Sequence, residues 1–334
     1  MFFRSRPSLI WLCTVLGRNC MLLSILVILG FLLPRLIPGS PLSFSADQID
    51  VLNAMLPEET FNRFTDYYAP EQPLIKQFAG YLRHLARGDW GYSFHYGLAV
   101  REIVMSRVSL TLFLSLTSIV ISTLIAVSLG TYLALKGSEY LEKGLLTLLL
   151  VLQTIPVFLL AILCRMLFAH HLGWFPAFGA YPLGMTPADA GFALHFLRHA
   201  ILPIAVLILN TVPPVAVLTR NVVQKIKREP YVEAAYYFGI REKIIWLYYI
   251  LLNSFPEILG RLNITFLYAI AGALFVEIIF SYPGMGTLMK VAVEARDYPL
   301  IQGIFLVTSI YSIAINMLFE LLSIKLYPRL TKMT

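Results

Sequence analysis

The sequence predicts an all-α, polytopic membrane protein, and three observations carry the prediction. Of its 334 residues, 58% are hydrophobic and only 13% are charged, against about a quarter charged in an ordinary soluble domain. Its mean hydropathy is +0.74. Several apolar runs are continuous and reach the roughly 20 residues that a helix needs to cross a bilayer. The strands of a membrane β-barrel would alternate apolar and polar residues, and these runs do not.

Six spans are expected, at about 12–36, 108–135, 145–168, 200–219, 256–280 and 301–324. Basic residues set their orientation, because cytoplasmic loops retain Lys and Arg. Placing both termini, the 136–143 loop and the 220–247 loop in the cytoplasm gathers most of the positive charge there. The outer loops 169–199 and 281–300 then hold only Arg198, Lys290 and Arg296. The net charge of +7 is thereby explained by topology, and it implies no nucleic-acid partner.

Taken in order, Arg4, Arg6 and Arg18 come before an apolar run that continues through Ile37. That run is too long for a cleaved secretory signal, so an uncleaved first helix is expected, broken by PGSP at 38–41. Residues 38–107 form the one sizeable external segment, and 1–105 are read as a first domain of helix plus external segment. Asp47, Asp50, Glu58, Glu59, Asp66 and Glu71 make its first half acidic. PLIKQFAGYLRHLARGDWG then spaces Leu74, Phe78, Tyr81, Leu82 and Leu85 as an amphipathic helix, ended by Gly88. The segment is either a packed cap or a contact for an external partner.

Residues 106–334 are read as a five-helix core. The second span opens at Arg107 and carries Ser109, Thr111, Ser115, Thr117, Ser118, Ser122 and Thr123. Small hydroxylated residues let helices approach closely in lipid; a few could face a path. The third span contains Gln153, Pro156 and Arg165, and the fourth contains Pro203, Asn210, Pro213 and Pro214. Proline removes a backbone hydrogen bond, so kinks are expected, either in a pore-lining helix or in static packing. Arg165 and Arg261 are expected to snorkel to the interface. Cys13, Cys20 and Cys164 read as small buried hydrophobes.

The chain carries no GxxxxGK[ST] phosphate loop, no HExxH and no GxSxG. His170 and His171 are adjacent, so on a helix they diverge and make a poor chelate. No catalytic residue, metal site or cofactor site is therefore expected, and the chain is read as no enzyme.

Two stretches stand out. In EPYVEAAYYFGIREKIIWLYYILLNSFP, residues 229–256, Tyr231, Ala234, Ala235 and Phe238 fall on one face of a short helix. Glu229, Pro230 and Glu233 suit its start, and Gly239 suits its end. Arg241, Glu242 and Lys243 open the next helix. Such a helix is either a knob for a groove in a partner or a surface helix lying on lipid, with tyrosines and Trp246 as anchors. In VEIIFSYPGMGTLMKVAVEARDYPLIQG, residues 276–303, Pro283, Gly284 and Gly286 make an irregular turn. At membrane depth such a turn must be buried in protein or line a water-filled cavity, as part of an outer gate would. Glu277 either bonds to a neighbouring helix or contacts substrate or gate. Arg296 and Asp297 are expected to fix the loop to a partner subunit or to the cap. Asn316 and Glu320, four apart, are expected to bond to an adjacent helix.

In order along the chain, these stretches resemble the dipeptide/oligopeptide/nickel permease family of ABC importers. GDWGYSFHYGLAV is similar to its segment before the second helix. Glu233-Ala234-Ala235 with Gly239 is similar to its EAA loop. The 276–303 stretch resembles its outer loop in Glu277, Phe280, Pro283, Gly284, Gly286, Arg296, Asp297, Tyr298 and Pro299, and Asn316, Glu320, Pro328 and Arg329 resemble the ending of its last helix. The resemblance implies the type I importer fold, N-in and C-in, in a bacterial inner membrane. It implies docking of the EAA-like residues Glu233, Ala234, Ala235, Phe238 and Gly239 on an ATPase subunit. It also implies a second, different permease subunit, two ATPases that hold the ATP and Mg, and an external substrate-binding protein. Peptide is the expected substrate, with nickel or a metal chelate next. Outside the family, the alternatives are an ATP-independent channel or secondary transporter, a membrane-embedded enzyme, and a scaffold without transport.

Overall fold

The computed structural model describes residues 9–36, 67 and 72–326. The PGSP break, the acidic residues at 47–66 and 71, and Pro328 and Arg329 lie outside them. Among the described residues the regular structure is helical, apart from one antiparallel bridge between Tyr92 and Ala99.

The elements are α1 (Leu9–Leu36), α2 (Leu74–Ala86), α3 (Val100–Lys136), α4 (Glu139–Thr154) and α5 (Val157–Cys164, continued to His171 in π-register). They continue with α6 (Phe192–Lys227), α7 (Pro230–Tyr237), α8 (Glu242–Ile279), α9 (Met285–Glu294) and α10 (Tyr298–Leu326). Of these, α1, α3, α6, α8 and α10 are each long and apolar enough to cross a membrane. The expected third span is a bent pair: α4 and α5 meet at 101°, and the pair makes a sixth span if counted as one. Pro156 causes the break. It has no N–H to donate, and it forces its predecessor out of helical geometry; Ile155 accordingly has ψ 120°. By contrast α6 continues as one 36-residue helix through Pro203, Pro213 and Pro214.

The helices outrun the expected spans. At about 1.5 Å per residue, the 37 residues of α3 reach roughly 55 Å, whereas the hydrocarbon core is about 30 Å thick. The apolar run reports bilayer thickness, and the helix ends lie beyond it.

Two compact units are present. Among the described residues, the first holds 111–283 and 315–326, and the second holds 9–36, 67, 72–110 and 284–314. The first unit is built around α6, whose inner face is buried with α3, α4 and α8 through Ala126, Leu133, Leu149, Val215, Ala216 and Ile258. Gly130 lets α3 approach α6 closely: a Cβ there would lie 2.5 Å from the Ala216 carbonyl oxygen. Asn263 Nδ2 of α8 donates to Asn316 Oδ1 of α10 at 2.6 Å, so Asn316 bonds to a neighbouring helix as expected.

In the second unit α2 packs Phe78, Tyr81 and Leu85 with Phe31 and Tyr67, while Leu74 and Leu82 of the expected apolar face are exposed. Gly88, at φ +76°, ends α2 as expected. Gln302 of α10 donates to the Gly30 carbonyl of α1 at 2.9 Å, in a buried position.

Candidate functional site

The cytoplasmic helix α7 forms where the sequence predicts it. Pro230 occupies its first position, where a missing N–H costs nothing. Its end is a Schellman motif: the Gly239 N–H donates to Tyr236 O at 3.0 Å, and the Ile240 N–H donates to Ala235 O at 3.2 Å. The motif needs a left-handed residue, and Gly239 supplies it at φ +67°.

The faces of α7 sort differently from the expected patch. Val232 and Ala235 are buried with Val222, Val223 and Ile226 of α6, Ala134 of α3, and Ile245 and Ile250 of α8. Ala235 is only 2% exposed; it fastens the helix from beneath instead of joining an outward alanine face. Ala234 is half-buried and Glu233 is exposed. The most prominent side chains are Tyr237 and Phe238, each 83% exposed. Tyr237 donates its hydroxyl to Glu233 Oε1 at 3.4 Å. Tyr231 donates to the Tyr249 carbonyl at 3.5 Å. Burial and then the Glu229 carboxylate push the Tyr231 phenol above its ordinary value, against a hydrogen bond from Asn253, so the donor stays protonated.

Past Arg241, α8 opens with one α-turn and then runs in π-register over Ile245–Leu251. The Leu252 N–H donates five residues back to Leu247 O. Single π-turns cluster at functional sites, and this one joins the α7 turn to a long apolar helix. Sequence periodicity did not reveal it, because the register lives in the backbone bonds.

The outer loop is divided between the two units. In the first, Glu277 and Tyr282 are fully buried, and the Tyr282 N–H donates to Glu277 O at 2.8 Å. Ser281 is held at φ +48°. The Gly179 N–H donates to Phe280 O at 2.9 Å. Arg165 finds a protein acceptor at the end of its neighbour. Its guanidinium donates to the Ile279 carbonyl at the end of α8 and lies 5.1 Å from the Phe178 ring centre. A cation on a helix C-terminus complements the dipole, and this explains a charge at the edge of an apolar span. Arg261 is exposed on α8.

The first unit's share of the loop ends at Pro283; in the second unit Gly284, Met285 and Gly286 are all buried as α9 begins. Helix α9 ends in another Schellman motif: the Asp297 N–H donates to Ala292 O at 2.8 Å and the Arg296 N–H to Val293 O at 3.1 Å. Here the left-handed residue is Arg296, at φ +53° and exposed. Asp297 is fully buried. Its Oδ2 accepts from Ser93 Oγ at 2.5 Å and from the His95 N–H at 3.0 Å, and its Oδ1 accepts from the Leu300 N–H at 3.2 Å. One carboxylate thus ties the loop to the external segment and caps α10.

Residues 126–332, more than half of the chain, match the family described as "Binding-protein-dependent transport system inner membrane component". A Brucella abortus protein named as a peptide transport system permease is 30% identical over 91% of this chain and 93% of its own length. A Sinorhizobium fredii protein named as a peptide ABC transporter permease is 28% identical over 95% of this chain and 98% of its own. The glutathione transport system permease protein of Salmonella choleraesuis is 29% identical over 92% and 94%. Apolar spans, an ordered pair of loops and these likenesses agree: the chain belongs to the binding-protein-dependent inner-membrane components, as a multi-pass permease of an ABC importer that binds no cofactor, hydrolyses no ATP itself and works with ATPase and binding-protein partners.

Proposed function

We propose that this chain pairs with a second, different permease subunit and moves peptides inward by alternating access, driven through α7 by two ATPase subunits. The relatives named for peptide and glutathione transport support a peptide substrate. The observation that carries the coupling role is the build of α7. Its inner face is fused to the ends of α6 and α8, while Glu233, Tyr237 and Phe238 project outward. A lever needs that combination of a rigid root and an exposed tip. In this reading Glu233, Ala234, Phe238 and Gly239 form the ATPase contact and its turn, and Ala235 anchors it. Glu277, Pro283, Gly284, Gly286, Arg296 and Asp297 belong to the outer gate and its supports. The nucleotide and its Mg sit on the ATPases.

Two measurements test the reading. In the assembled transporter, Ala234→Cys should cross-link to an ATPase subunit, and Gly239→Val should leave the permease inserted while separating ATP hydrolysis from uptake. An uncaptured ATPase, or normal uptake by Gly239→Val, would refute the coupling role. The cognate binding protein should bind short peptides; binding of Ni²⁺ instead would move the assignment to metal uptake.

A further inference from the structure

Glu142 lies in neither functional loop. It sits near the start of α4, and its Oε1 accepts from Arg220 Nε at 2.7 Å and from Gln224 Nε2 at 2.9 Å. A second guanidinium nitrogen of Arg220 donates to the same oxygen. Arg220 also donates to Asn221 Oδ1 at 3.0 Å. The Arg220 and Glu142 side chains are only 23% and 18% exposed. Arg220 and Gln224 are four apart, so they share one face of α6.

The same stretch of α6 holds Val222, Val223 and Ile226, which are buried with Val232 and Ala235 of α7. The same short stretch of α6 therefore carries α7 on one face and grips α4 with another. The two joints differ in kind. Apolar packing is non-directional and holds α7 on α6 by close fit. A carboxylate held by charge-assisted donors has a fixed geometry and is stronger than a neutral bond. Helix α4 runs from Glu142 to the bend at Ile155–Pro156.

We propose that Glu142 is a positioning residue that carries displacement of α7, by way of Arg220 and Gln224 on α6, into α4 and the bent pair, so that nucleotide-driven movement reaches the transmembrane path. This rests on the reading of α7 as the ATPase contact.

The test uses the complete transporter in proteoliposomes, with both permease subunits, both ATPases and the binding protein. Glu142→Gln keeps the shape and removes the charge. It should assemble and hydrolyse ATP at the wild-type level, while uptake per ATP falls by about tenfold, within the usual range of coupling between sites. The charge exchange Glu142→Arg with Arg220→Glu should recover most of that loss. Unchanged uptake per ATP in Glu142→Gln overturns the proposal. So does a joint fall in assembly, hydrolysis and uptake that the exchange does not repair, which marks a structural brace. Either result with the Ala234→Cys cross-link intact strikes this proposal alone; loss of that cross-link in the otherwise unaltered protein strikes the reading of α7, and the route through it.

Discussion

Gly130→Ala sets two well-known effects against each other. An exposed helical glycine gains about 1 kcal/mol on replacement by alanine. At Gly130, however, the new Cβ would lie 2.5 Å from Ala216 O, 2.7 Å from Thr219 Cβ and 3.0 Å from the Arg220 backbone nitrogen. Comfortable carbon–oxygen contacts begin at about 3.3 Å, so α3 and α6 must part by roughly 1 Å. Two of the three obstacles are backbone atoms and cannot rotate away. Overpacking of a tight interface costs about 1–3 kcal/mol, and rigid obstacles put this case in the upper half. The net expectation is a loss of about 1 to 2 kcal/mol after the propensity gain. Gly144→Ala in α4 is the control, since nothing lies within 4 Å of a Cβ there; it should gain about 1 kcal/mol. Thermal unfolding of the purified transporter in detergent reads both, and the two melting shifts should have opposite signs. A Gly130→Ala protein as stable as wild type would refute the close-approach argument. Because Arg220 is one of the obstacles, the same variant should also disturb its bond to Glu142.

Arg296→Gly relieves a left-handed backbone at φ +53° and should raise stability by about 1 kcal/mol, measured by the same melt. Asp297→Ala strips the acceptor from Ser93, His95 and Leu300 and should cost about 2–3 kcal/mol, as leaving buried donors unsatisfied does. Limited proteolysis around residues 89–99 should report the released segment, and unchanged protection would count against the anchor. Gly239→Asn should keep uptake near wild type where Gly239→Val does not, because asparagine tolerates positive φ and valine does not. No side chain crowds position 239, so equal behaviour of the two variants in an uptake assay would exclude a backbone cause.

What the sequence made legible was whatever repeats locally. The apolar runs located every span, Pro156 marked the break in the third, and Gly88 and Gly239 marked two helix ends. The 101° bend at Pro156 was legible only as a kink, because a proline says that a helix must yield but not how far. Long-range polar pairs were hidden. Glu142 and Arg220 are 78 residues apart, and Ser93 and Asp297 are 204 apart; no local pattern announces such partners. The acceptor of Arg165 was hidden because it is a backbone carbonyl, which has no letter in a sequence. Ala235 was assigned to the outward patch since helical spacing defines a face but not the direction in which it points.

The π-register of Ile245–Leu251 bears on how such a protein can change over generations. Such a turn takes up one extra residue, so a deletion there would restore ordinary α-winding with both flanks facing as before, whereas a deletion elsewhere in the helix would swing everything on its cytoplasmic side by about 100° around the axis. Only in the second case would Tyr237 and Phe238 be turned to a different side. The wide turn is therefore the place where this long helix can lose a residue over generations while its exposed aromatic tip keeps its bearing.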